Sequence, residues 1–146
     1  MTQIAKREAI LAQLYTTLQT VTLPEKTISF ARNEDLPLTD EVELVLMDGP
    51  QLVDYGVTGQ VEYMMTCWID GHIVDADPGS AVNALYAAVV TTLLDDITVN
   101  GLANDIFESD LEIDRERGDG NRKAMQFTLE VTVKYHGTHA NPYTNI

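Results

Sequence analysis

The chain has 146 residues, which suits one domain with a single core and is long enough to fold without a disulfide or a metal. It is 45% hydrophobic, as in an ordinary water-soluble globular protein, and no apolar run approaches the roughly 20 residues of a membrane-spanning helix. The formal net charge is −14, and no Lys or Arg occurs between Arg32 and Arg115, which argues against ordinary nucleic-acid binding, where cations displace phosphate counterions.

The opening residues do not read as a secretory signal, since Glu8 and Gln13 interrupt the apolar pattern. They predict instead a helix over 3–20, with Ile4, Ile10, Leu11, Leu14 and Leu18 on one stripe. A short strand follows over 27–32, with Ile28 and Phe30 on one face. After a polar, proline-containing stretch over 33–40, residues 41–47 predict a second strand. Val42, Leu44 and Leu46 alternate there, and apolar residues on both faces at its end place it inside a sheet.

Residues 48–60 contain Gly49-Pro50, Gly56 and Gly59, and so read as a long connection. The same stretch carries Leu52, Val53, Tyr55 and Val57. Either these four pack back onto the sheet, or they form a protruding loop that docks on a partner. A strand over 61–70 follows, with Val61, Tyr63, Met65, Cys67 and Ile69 on one face and Gly71 ending or bulging it. Cys67, the lone cysteine, reads as a small core residue in a chain kept reduced.

Asp77-Pro78 sets up a second helix to about Leu94: the Asp caps it and the Pro suits its first turn. Val82, Leu85, Tyr86, Val89, Val90, Leu93 and Leu94 form its buried side, and Ala81, Ala84, Ala87 and Ala88 permit close packing. Val99-Asn100-Gly101 turns the chain into a hairpin spanning 111–135, in which Phe127, Leu129, Val131, Val133 and Tyr135 alternate with polar residues. Leu111 and Ile113 join these in the expected core. Residues 137–146 read as an extended, loosely held tail. The fold class is α+β, a mostly antiparallel sheet of about five strands with two helices packed on one face and an acidic, Thr-rich opposite face.

No phosphate-binding glycine loop and no nucleophile motif occurs. Asp110, Glu112, Asp114 and Glu116 fall at period two and, with Glu130, form an acidic strand face. A carboxylate-dependent metal enzyme is one reading of that face, although Arg115 and Met125 stand where a calcium loop needs Gly and Glu. A solvated face that accepts cations from a neighbour is the other. His136 and His139 in the tail read as surface polar residues, and no metal or other cofactor is expected. Lys6, Arg7, Arg117, Arg122 and Lys123 are candidate contacts to an adjacent acidic subunit.

Leu94-Leu-Asp-Asp-Ile97 leading into Leu111-Glu-Ile-Asp-Arg-Glu, then Phe127-Thr-Leu-Glu-Val-Thr-Val-Lys-Tyr135 and His136-Gly-Thr-His-Ala-Asn-Pro-Tyr, resembles the phage tail terminator family, the lambda-type minor tail protein U and related tail completion proteins. The resemblance covers most of the chain in layout. It implies a non-enzymatic virion protein that forms a hexameric ring on the tail tube, stops tube growth, and offers a surface to the head connector or neck. It further implies a place in the virion tail, assembly in the bacterial cytoplasm, and DNA passing through without specific binding. Another neck or tail-tube protein is the near alternative.

Overall fold

A computed structural model describes residues 3–34, 41–56, 59–116, 123–138 and 140–145. Its elements are β1 Gln3–Ala5, α1 Lys6–Leu18, β2 Ile28–Arg32, β3 Val42–Tyr55, β4 Gln60–Val74, α2 Pro78–Leu93, β5 Asp105–Glu116, β6 Ala124–Thr138 and β7 Tyr143–Asn145. Five strands form one sheet in the order β2-β3-β4-β6-β5, antiparallel except for the parallel β2–β3 pair. The fold is α+β, as the periodicities predict.

Strand parity explains the core. Val42, Leu44, Leu46, Met65, Cys67, Ile69, Phe127, Leu129, Val131 and Val133 share one face of the sheet, and all are buried against Ile10, Leu11, Leu14 and Leu18 of α1 and Val82, Leu85 and Val89 of α2. Both helices therefore lie on that face. The longest described helix, α2, is not long and apolar enough to cross a membrane.

Several boundaries differ from the sequence reading. The first helix starts at Lys6 rather than at residue 3, because Gln3–Ala5 pairs antiparallel with Tyr143–Asn145 in a separate two-stranded sheet. That pairing also gives the C-terminal segment a partner, and the Lys6 N–H donates to the Pro142 carbonyl at 2.7 Å. Residues 48–60 are not a loop: β3 runs to Tyr55 and β4 begins at Gln60, so the two strands form a long hairpin. A register irregularity between Asp48 and Gln51 accommodates Gly49 and Pro50, and Pro has no N–H to give to a ladder.

Gly71 does not end β4 either. It pairs with Leu44 and Phe127, and a Cβ there would stand 2.3 Å from the Phe127 ring. The missing side chain is what lets Phe127 lie across the strand. In α2, the Asp77 side chain caps the first turn by accepting from the Ser80 N–H. Tyr86, Val90 and Leu94 are half-buried rather than fully buried, while Ala84 and Ala87 are exposed, so only Ala81 and Ala88 pack as expected.

The sheet face away from the helices carries Thr66, Asp70, Glu112, Asp114, Thr128, Glu130 and Thr132, but also Val45, Met47, Met64, Trp68 and Phe107. It is mixed rather than uniformly acidic. Glu43 and His72 face each other on it across β3 and β4, and both are buried.

Candidate functional site

The β3–β4 hairpin is fastened at its base by two arginines from outside it. Arg7, in the first turn of α1, donates to the Gly49 carbonyl and to Gln51 Oε1, which also accepts from the Tyr135 hydroxyl. Arg32, at the end of β2, reaches Glu8 through Nη1 at 2.8 Å and Asp48 through Nη2 at 3.0 Å. The Arg32 hydrogen bond holds Glu8 below the usual carboxylate range. Burial pushes Asp48 upward, but hydrogen bonds to Arg32 and Asn33 outweigh it, and the net direction is down. Arg32 itself is held more firmly charged, chiefly by Glu8.

Beyond that anchor β4 stays paired with β6, while the β3 side runs on past the end of β2. Leu52 is 73% exposed, Val53 45% and Tyr55 66%, so the apolar residues that sequence places here stand in solvent rather than folding back. Val57 lies outside the described residues. Tyr63 of β4 stacks on Tyr135 of β6 with ring centroids 4.8 Å apart, which stiffens the helix-side face. On the opposite face Leu52 pairs with Met64, and the next row sets Asp54 directly across from Glu62. His136 is next in that row, its Nε2 3.5 Å from Glu62. Two carboxylates facing each other across strands destabilise a hairpin tip unless a cation joins them.

The expected acidic face is partly assembled. Glu112 pairs with Thr128 and Asp114 with Gln126, on the same side as Glu130, which pairs with Trp68. Asp110 is exposed within the register shift between Glu108 and Leu111, and the Glu116 side chain lies outside the described set. Leu111 and Ile113 keep core parity opposite Leu129 and Phe127, yet they are 37% and 42% exposed because β5 is the edge strand. They correct the expectation of a filled core there. Their neighbour Glu108 accepts from the Tyr86 hydroxyl at 2.6 Å, which ties α2 to this edge.

Of the candidate cations, Lys6 donates to the His136 carbonyl at 2.8 Å and Arg7 is committed to the hairpin base. Lys26 pairs with Asp75 at 2.9 Å, and Lys134 lies 5.7 Å from the Phe107 ring centroid. Lys123 is exposed at the opposite end of the sheet from the hairpin tip, with its carbonyl accepting from the Asp75 N–H. Arg117, Arg122 and His139 lie outside the described residues. Among those described, no three His, Cys, Asp or Glu side chains converge as metal ligands would.

No family model and no curated protein sequence matches the chain. A solved structure does resemble it: a chain of the "Virion of native gene transfer agent (GTA) particle", with a TM-score of 0.52 and 16% sequence identity. The match covers 91% of this chain and 96% of that one, so the likeness is one of whole folds.

Proposed function

We propose that this protein is a non-enzymatic structural component of a phage-like virion, and within it a tail terminator. In this reading copies of the chain close into a homo-oligomeric ring, expected to be a hexamer, that caps the tail tube, stops its growth and receives the head connector or neck protein. The observation that supports it most is the end-to-end likeness in fold to a chain of a gene transfer agent virion. The layout of the C-terminal hairpin and its resemblance to tail completion proteins supply the finer assignment.

Charge supports the same reading. Six copies would carry about −84, and a lumen bearing Asp110, Glu112, Asp114, Glu116 and Glu130 would repel DNA phosphates, so that DNA passes without sticking. The exposed Leu52, Val53 and Tyr55 supply apolar contact area for a neighbour in the assembly. Such a protein would reside in the virion tail after assembly in the host cytoplasm.

Electron microscopy of the purified protein, alone and mixed with tail tubes, tests this. Uniform rings that cap tubes and halt their extension are expected. Long tubes grown from the protein alone would identify a tube component instead, and particles that neither ring nor bind tubes would overturn the assignment.

A further inference from the structure

The two sides of the main sheet are finished differently. On one side β2 pairs with β3 as far as Leu46, the Asp48 N–H donates to the Asn33 side chain, and Arg7 donates to the Gly49 carbonyl. On the other side β5 is the last strand of the sheet. The alternation of the ladders shows which of its backbone groups are open. The Asp75 N–H donates to the Lys123 carbonyl and the Val74 N–H turns the other way to Glu41, so Met125 and Phe127 bond to β4 while Gln126 and Thr128 bond to β5. Their β5 partners, Asp114 and Glu112, are turned inward, and Leu111 and Ile113 direct their N–H and C=O groups away from the sheet.

The side chains along this edge are sorted by face. Leu111 and Ile113 lie on the helix side and remain exposed, since α2 reaches β5 through the Tyr86 bond to Glu108 without covering them. Glu112 and Asp114 are exposed on the opposite face, beside Thr128 and Gln126, and no ion pair among the described residues reaches either. The neighbouring described cations are placed elsewhere. Lys134 lies over the Phe107 ring, and Lys123 has the parity of Met125 and Phe127, which is that of the helix side.

An open edge pairs with an extended strand, and its side chains select which strand. A second copy of β5 is disfavoured because its carboxylates would meet these, and the distal part of β3 would bring Asp54 with no cation. No stretch of this chain alternates several basic residues with apolar ones, so the matching strand belongs to another protein.

We propose that the β5 edge binds, as an added strand, an extended segment of another protein in which Lys or Arg alternates with apolar residues. The backbone of that segment bonds to Leu111 and Ile113, its apolar side chains lie beside theirs, and its cations face Glu112 and Asp114. The carboxylates thus both keep β5 from pairing with another copy and admit a cationic strand. This contact goes beyond the ring reading and stands whether or not the chain self-assembles.

Titration calorimetry on the full chain tests it, with the peptide Lys-Val-Lys-Val-Lys-Val-Lys and a peptide of the same composition whose lysines and valines stand in two blocks. The alternating peptide is expected to bind at least about tenfold more tightly, because only its pattern sends every cation to one face of a strand. Glu112→Lys with Asp114→Lys is expected to abolish that preference. Asp54→Lys with Asp95→Lys, the same change in charge at exposed positions away from β5, is expected to retain it. Amide exchange gives a readout that needs no variant: the Leu111 and Ile113 amides should slow when the alternating peptide is added, whereas those of Glu112 and Asp114, already bonded within the sheet, should change little. Equal affinity for the two peptides, or equal loss in the two double variants, would reduce the effect to a general attraction of polycations to an acidic chain and overturn the proposal. So would failure of both peptides to bind, or binding that leaves the Leu111 and Ile113 amides unprotected.

Discussion

Arg32 holds Asp48 at 3.0 Å while gripping Glu8 at 2.8 Å, so one guanidinium ties the end of β2 to the first turn of α1 and to the irregularity in β3. Its side chain is only 19% exposed. The hairpin is thus held at its base by Arg32 and along its β4 side by the pairing with β6.

Replacing Arg32 with Met keeps much of the side-chain volume but leaves Glu8 and Asp48 facing each other unbridged. A loss of about 1–2 kcal/mol in urea unfolding is expected, at the modest end for charged hydrogen bonds because the Glu8 side chain is nearly half exposed. An unchanged midpoint would contradict the role given to Arg32.

The same pair sets an acid response. Glu8 and Asp48 are held below their ordinary values of 4.5 and 3.8, so the folded state binds their protons less readily than the unfolded state does. Their contribution is complete above about pH 5 and is lost as pH falls through the depressed folded values, below about pH 4. Unfolding measured from pH 7 to pH 2.5 should show a shallower acid decline in Arg32→Met than in the wild type.

Gly71→Ala places a methyl group 2.3 Å from the Phe127 ring. About 1–3 kcal/mol of destabilisation is expected from the forced shift in a packed core. Adding Phe127→Leu should recover part of it, and additive losses in the double variant would show that the ring is not the obstacle.

Burial pushes the Cys67 thiol up to about 12. The folded protein should therefore resist thiol reagents at pH 8 and react promptly once unfolded in urea. Fast labelling under native conditions would place Cys67 at an opening in the sheet.

Much of this fold is legible from period and capping. Phe127, Leu129, Val131 and Val133 announce β6 by alternation, and Asp77-Pro78 announces the start of α2. Two of the misreadings share one cause, in that local signals for breaks are overridden by tertiary contacts. Gly49-Pro50 signals a loop, yet Arg7 and Arg32 hold that segment within a continuing strand. Gly71 signals a strand end, yet Phe127 needs the space it leaves. Leu111 and Ile113 have the right parity for the core but sit on an edge strand, a position that alternation alone does not encode. At the candidate site, Leu52, Val53 and Tyr55 are conspicuous in sequence because apolar residues seldom crowd a loop. The facing of Asp54 and Glu62 was not, since it depends on a register set by the bulge.

The central claim is that this acidic chain closes into a ring, and sedimentation velocity across a salt series tests it most directly. The account predicts a single discrete assembly several times the mass of the 16.2 kDa chain. A monomer at every salt and protein concentration, with tail tubes present or absent, would contradict it.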